Sequence, residues 1–136
     1  MKKLLALVLI ALVSLPACAS FGSAKGKVAG PYFVAHAVLK AASDAEPRLV
    51  CGRPTAAPAP ACIPIDLHHT ISARIEQAGR IDLDANAIIK DLPEGAAEPA
   101  KLLALLPDLW NLINEILADI PSGPTKTQLT KLAEVK

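Results

Sequence analysis

With 136 residues and 14 basic against 13 acidic side chains, the chain is close to neutral and holds material for one small domain rather than two. Aromatic residues make up only 3% of it and hydrophobic residues 52%, so a core must be built from Leu, Ile, Val and Ala, as in small helical bundles. No basic face is implied for nucleic acid or anionic headgroups, and few rings are available to stack on bases or sugars, which argues against nucleic acid as a partner.

Residues 1–14 begin with Lys2 and Lys3 and continue as an apolar run over 4–13 that is too short to span a bilayer. The pattern predicts a secretory signal over residues 1–17. At its end stands Leu15-Pro16-Ala17-Cys18, which resembles the lipobox of bacterial lipoproteins; the resemblance covers residues 1–18 alone. It implies that Cys18 is diacylated, becomes the new N-terminus and ties the protein to a membrane. Ala19 after the cysteine, in place of Asp, implies the inner leaflet of the outer membrane, facing the periplasm. Pro16 departs from the small or hydroxyl residue usual at that position, and Ala17-Cys18-Ala19 also fits an A-x-A cleavage site. The alternative is a soluble periplasmic or secreted helical protein starting near Ser20. Removing residues 1–17 leaves 119, with 12 basic and 13 acidic side chains.

Residues 18–30 mix Gly, Ser, Ala and Lys without periodicity and are expected to be a flexible tether, leaving 31–136 as a single helical domain. Pro31 suits the first position of a helix, and Val34, Val38 and Ala41 share a face over 32–42. A strand there lacks clean alternation. Residues 43–64 hold five prolines (Pro47, Pro54, Pro58, Pro60, Pro64) with Cys51 and Cys62, and are expected to be irregular throughout. With Cys18 acylated, Cys51 and Cys62 remain as an even pair, which an oxidising compartment closes into a disulfide.

Beyond this loop, Asp66 is placed to cap a helix over 67–78, stopped by Gly79, and Asp84 to cap a brief one over 85–91. The longest periodic stretch is 99–120, where Leu102, Leu106, Leu109, Ile113, Ile116 and Ile120 recur at helical spacing, with Leu103, Trp110 and Leu117 widening the stripe. Lys101, Asp108, Asn111, Glu115 and Asp119 fall opposite, and Pro107 predicts a kink or a split. This helix reads as the central helix of the bundle, as an interface for a protein partner or a second copy of the chain, or as an element on a membrane surface. The last reading is opposed by a polar face poor in Lys and Arg. As an interface its face is Leu103, Leu106, Trp110, Ile113 and Leu117. Thr125 to Gln128 matches a capping box that opens a final helix with Leu129, Leu132 and Ala133.

The fold expected is therefore all-α: a bundle of four or five helices with a Pro-rich, disulfide-closed loop on an N-terminal tether. Catalytic chemistry is not signalled. No G-x-S-x-G occurs, and no acid is visibly placed to orient His36, His68 or His69. Cys51, Cys62, His68 and His69 could be imagined as a zinc quartet, but adjacent histidines on one helix point about 100° apart. Asp82-Leu83-Asp84-Ala85-Asn86 opens like a calcium loop and then fails at Ala87, where Gly is needed, and at Pro93, where Glu is needed. No metal, cofactor or catalytic residue is expected. The function expected is a lipid-anchored, non-catalytic binding or adaptor module whose partner is another envelope protein. The alternative is an inhibitor or exclusion lipoprotein of the phage-borne or immunity type, acting through the disulfide loop.

Overall fold

A computed structural model describes residues 24–93 and 95–135, with side chains from Ala29 onward. The export segment, Cys18 and the tether through Ser23 lie outside the described residues. Four helices make up most of the described chain: α1 (Ala24–Leu49), α2 (Ile65–Asp91), α3 (Ala100–Asp119) and α4 (Pro124–Ala133). The all-α expectation holds, with the disulfide loop between α1 and α2. Two part-buried side-chain pairs, Glu46 with His68 and His36 with Asp82, set α1 and α2 antiparallel. α3 packs most closely on α2, while α1 touches all three other helices. α3 and α4 barely meet.

One core runs through all four helices. Tyr32, Ala35, Val38 and Ala42 enter it from α1 and Ile71, Ala78 and Ala85 from α2. α3 supplies Leu102, Leu109, Ile113 and Ile116, and α4 supplies Leu129. Each set follows the three-and-four spacing of a single helical face, which is why the periodic stretches fold as they do.

Several boundaries differ from the sequence expectation, and in each case burial overrides a local signal. α1 starts at Ala24, so residues 24–30 belong to the helix and not to the tether, and Ala29 packs in the core. The same helix passes Pro31 and continues through Pro47 to Leu49, so residues 43–49 are helical. Proline's φ is compatible with a helix, and what it removes is one hydrogen bond. Glu46, 2% exposed, is carried on that last stretch and anchored to α2. The predicted pair of helices over 67–78 and 85–91 is the single helix α2, with Gly79 and Asp84 in its interior. A helical glycine costs about 1 kcal/mol. The unbroken stripe Ile71, Ala78, Asp82, Ala85 and Ile89, buried on both sides of Gly79, outweighs that.

Pro64, not Asp66, occupies the N-cap of α2, and Asp66 lies in the first turn, where its charge still suits the helix dipole. α3 ends within a residue of the expected bounds and is not split at Pro107, which is exposed. Gly123 caps α4 with Pro124 at its start, and Thr127 Oγ1 donates to the Gly123 carbonyl (3.0 Å), so the capping box at Thr125 does not form.

The loop between α1 and α2 is closed at its neck. Cys51 and Cys62 form the expected disulfide, with Cα atoms 5.0 Å apart. Val50 and Ile63, both buried, make a single parallel bridge in which Cys51 N–H donates to Ile63 O (2.9 Å) and Ile63 N–H to Leu49 O (2.8 Å). The chain turns at residues 50–53, where Gly52 takes φ +85°, a conformation costly for any residue with a Cβ. Thr55 Oγ1 donates to the Arg48 carbonyl (3.0 Å), satisfying an acceptor that the end of α1 leaves open.

Candidate functional site

The seam between α1 and α2 holds two buried carboxylates, each facing a histidine of the other helix. Asp82, 8% exposed, sits in the apolar stripe of α2, and its two oxygens lie 2.9 and 3.1 Å from His36 Nδ1. A carboxylate only accepts, so Nδ1 carries the hydrogen and donates, which leaves Nε2 as the second functional atom of the ring. One turn earlier, the Tyr32 hydroxyl donates to the Asp82 backbone carbonyl (3.0 Å). Burial pushes the Tyr32 hydroxyl well above the usual phenol range, and the charge and hydrogen bond of Asp82 push it further. At the other end of the seam, Glu46 is in short contact with His68 Nδ1. His68 is thus a half-buried partner of α1, whereas His69 is exposed.

Ser72 Oγ lies 3.4 Å from His68 Nδ1 and so completes a trio of serine, histidine and acid. Its geometry is wrong for nucleophile activation. In a working triad the acid and the serine engage opposite ring nitrogens, so that one orients the imidazole and the other gives up its proton. Here Glu46 and Ser72 compete for one nitrogen, and the contact to Ser72 is long. The pair locks α1 to α2 without equipping a hydroxyl for attack.

His36 differs because it is half-exposed and lines a cleft of about 190 Å³ on the outer side of the seam. Leu39, Lys40 and Ser43 of α1 and Ile75, Gly79 and Asp82 of α2 complete the lining. A Cβ added at Gly79 would meet nothing within 4 Å, so the cleft is open over that position. Lys40 pairs with Asp44 (3.3 Å), both well exposed.

The five α3 residues read as a partner face divide in the structure. Leu103 is 48% exposed, and Leu106 and Trp110 are half-buried, whereas Ile113 and Leu117 are core residues. Beside them, a groove of about 470 Å³ opens where α3 and α4 diverge, lined by Trp110, Asn114 and Leu117 of α3 with Thr130, Ala133 and Glu134 from the end of the chain. Part of the polar side of α3 does not face solvent alone. Arg74 of α2 holds Glu115 (3.0 Å) and, in a short contact, Asp119.

The cysteines imagined in a zinc quartet have their sulfurs bonded to each other, and among the described residues no group of three or more His, Cys, Asp or Glu side chains could hold a metal ion. The calcium-like stretch is helical through Asp91, so its oxygens cannot wrap a cation.

Sequence reasoning missed both histidine–carboxylate pairs. A usable signal existed: Glu46 stands in register with buried Ala42 and half-buried Leu49, and Asp82 with buried Ala78 and Ala85, and an acid on an apolar stripe needs a partner. No helix among the described residues is long and apolar enough to cross a membrane, and the disulfide is consistent with a domain outside the cytoplasm. No family model, curated protein or solved structure matches the chain.

Proposed function

We propose that the chain is a lipid-anchored, non-catalytic binding module of the bacterial envelope, which receives an apolar segment of another envelope protein in the α3/α4 groove. The observation that carries this reading is the groove itself. Its floor is apolar, its rim is polar at Asn114, Thr130 and Glu134, and Leu103 and Leu132 stand exposed on the helices that form it. A half-buried tryptophan at such a place is the residue type on which protein interfaces concentrate their energy. The lipobox-like Leu15 to Cys18 supports the anchor, and the disulfide supports an oxidising compartment such as the periplasm.

A photo-crosslinking side chain placed at Leu103 is expected to capture one envelope protein in living cells, and the same group at Glu76, an exposed α2 residue, is not. Identical products from both positions, or none from Leu103, would overturn the docking face. Fractionation of Cys18→Ala tests the anchor separately, with loss of membrane association expected.

A second reading, an inhibitory lipoprotein, draws on the loop. Residues 52–61 are almost all exposed while Val50, Cys62 and Ile63 at its neck are buried, so the loop is held firmly and presented outward. Crosslinks formed from Ala57 and not from Leu103 would favour it.

A further inference from the structure

We propose that the outward side of the α1/α2 hairpin, at Phe33, Ala37, Leu83 and Ala87, lies on a lipid surface, an inference that rests on the lipid anchor proposed for Cys18. Phe33 and Leu83 each follow a buried residue that reaches across the seam. The Tyr32 hydroxyl donates to the Asp82 carbonyl (3.0 Å), and the ring of Phe33 leans on that of Tyr32, with 5.8 Å between centroids. The next residue along a helix turns its side chain by about 100°, and in an antiparallel pair both helices turn it to the same side of the seam. Phe33, 59% exposed, and Leu83, 68% exposed, therefore stand side by side. Each lies about 160° round its helix from a core alanine two residues on, Ala35 and Ala85, so the pair points away from α3 and α4. Ala37 and Ala87, four residues on from each, are exposed and extend the face.

The occupant follows from where the helix begins and from charge. Five residues separate Cys18 from the start of α1 at Ala24, a span of at most about 20 Å, and Phe33 lies about 14 Å further along the helix. An acyl group on Cys18 therefore keeps this half of the hairpin within reach of the headgroups. An exposed aromatic ring beside an exposed leucine suits the boundary between headgroups and acyl chains. The acids exposed on the same side, Asp44 and Glu76, stand toward the other end of the hairpin and are paired with Lys40 and Arg80, whereas Lys90 flanks the tethered end. Asp84 and Asp91 turn roughly 80–100° past Leu83, to the edge of the patch. Seated this way, the hairpin turns the α3/α4 groove away from the bilayer, toward a partner in the periplasm.

The test uses the chain as cells produce it, reconstituted in phosphatidylcholine vesicles, with a nitroxide on Ala37→Cys or, for reference, on Gln128→Cys of α4; both positions are exposed. Relaxation of the label by oxygen, which concentrates in lipid, is compared with relaxation by an aqueous nickel complex. At Ala37 the nickel effect is expected to be about fivefold weaker than at Gln128, and the oxygen effect stronger. Replacing Phe33 and Leu83 together by Ser should make the two positions alike while the protein stays on the vesicles. Both side chains are exposed, so the circular dichroism spectrum should not change. A label at Ala37 as open to nickel as that at Gln128, on an acylated chain that floats with the vesicles, would overturn the face alone. A chain that carries no acyl group and leaves the vesicles would overturn the anchor and this docking together. Protection of Ala37 in isolated envelopes, but not in vesicles that hold no other protein, would give the face to a protein partner and overturn the lipid.

Discussion

The seam between α1 and α2 and the face that α3 turns to the core do the same job with different chemistry. The first is fixed by Asp82 on His36, Glu46 on His68, the Tyr32 hydroxyl on the Asp82 carbonyl and a disulfide at its closed end. The second is Leu102, Leu109, Ile113 and Ile116, without a polar atom among the side chains, and with Arg74 touching it only at the margin. If α1 slid by one helical turn, about 5.4 Å, both buried carboxylates would lose their partners together. A similar slide of α3 would bring one leucine or isoleucine near the place of another. Apolar burial therefore supplies most of the stability, and the histidine–carboxylate pairs supply the register, a use of buried polar groups that is known from coiled coils.

This division can be broken experimentally. The largest effect is expected from Leu109→Ala, which empties a fully buried position and should lower stability by about 3–4 kcal/mol in urea unfolding, with an unchanged slope. Replacing Cys51 and Cys62 together by Ala should cost about 2–3 kcal/mol, because the cross-link across a sequence separation of 11 no longer restricts the unfolded chain. His68→Leu alone leaves Glu46 without its partner and should cost about 2 kcal/mol, whereas the double change Glu46→Met with His68→Leu should return to within about 1 kcal/mol of the parent. A double variant as unstable as His68→Leu would show that the pair contributes net stability beyond its role in register.

How far the sequence discloses this structure depends on the range of the information. Helix α3 is legible almost to the residue because its signal is local: apolar side chains at helical spacing, bounded by Pro99 and Pro121. The Cys51–Cys62 bond is legible because a lipid on Cys18 would leave no other pairing. What escapes is set by contacts distant in the chain. The partners in the seam are 22 and 46 residues apart, and no local pattern says which acid meets which histidine. The same holds for the helix bounds. Pro47 and Gly79 signal termination, yet each helix runs on where it has core contacts to keep: half-buried Leu49 beyond Pro47, and buried Asp82 and Ala85 beyond Gly79. Of the candidate sites, the α3 face was visible as a stripe, but its division into exposed and core residues required α4, and the His36 cleft required both helices of the hairpin.

The two seams also carry separate chromophores. The chain has one tyrosine and one tryptophan: Tyr32 is buried against α2, and Trp110 lines the groove between α3 and α4. Excitation at the red edge of the absorption band selects the indole, and ultraviolet difference absorbance follows the phenol, so the halves report independently without any label. Coincident melting curves would make the bundle a single cooperative unit, whereas an earlier Trp110 transition would mark α4 and its groove as a segment that opens while the hairpin stays closed. A docking groove built where two helices barely touch is the place for such local opening, and its own tryptophan is positioned to record it.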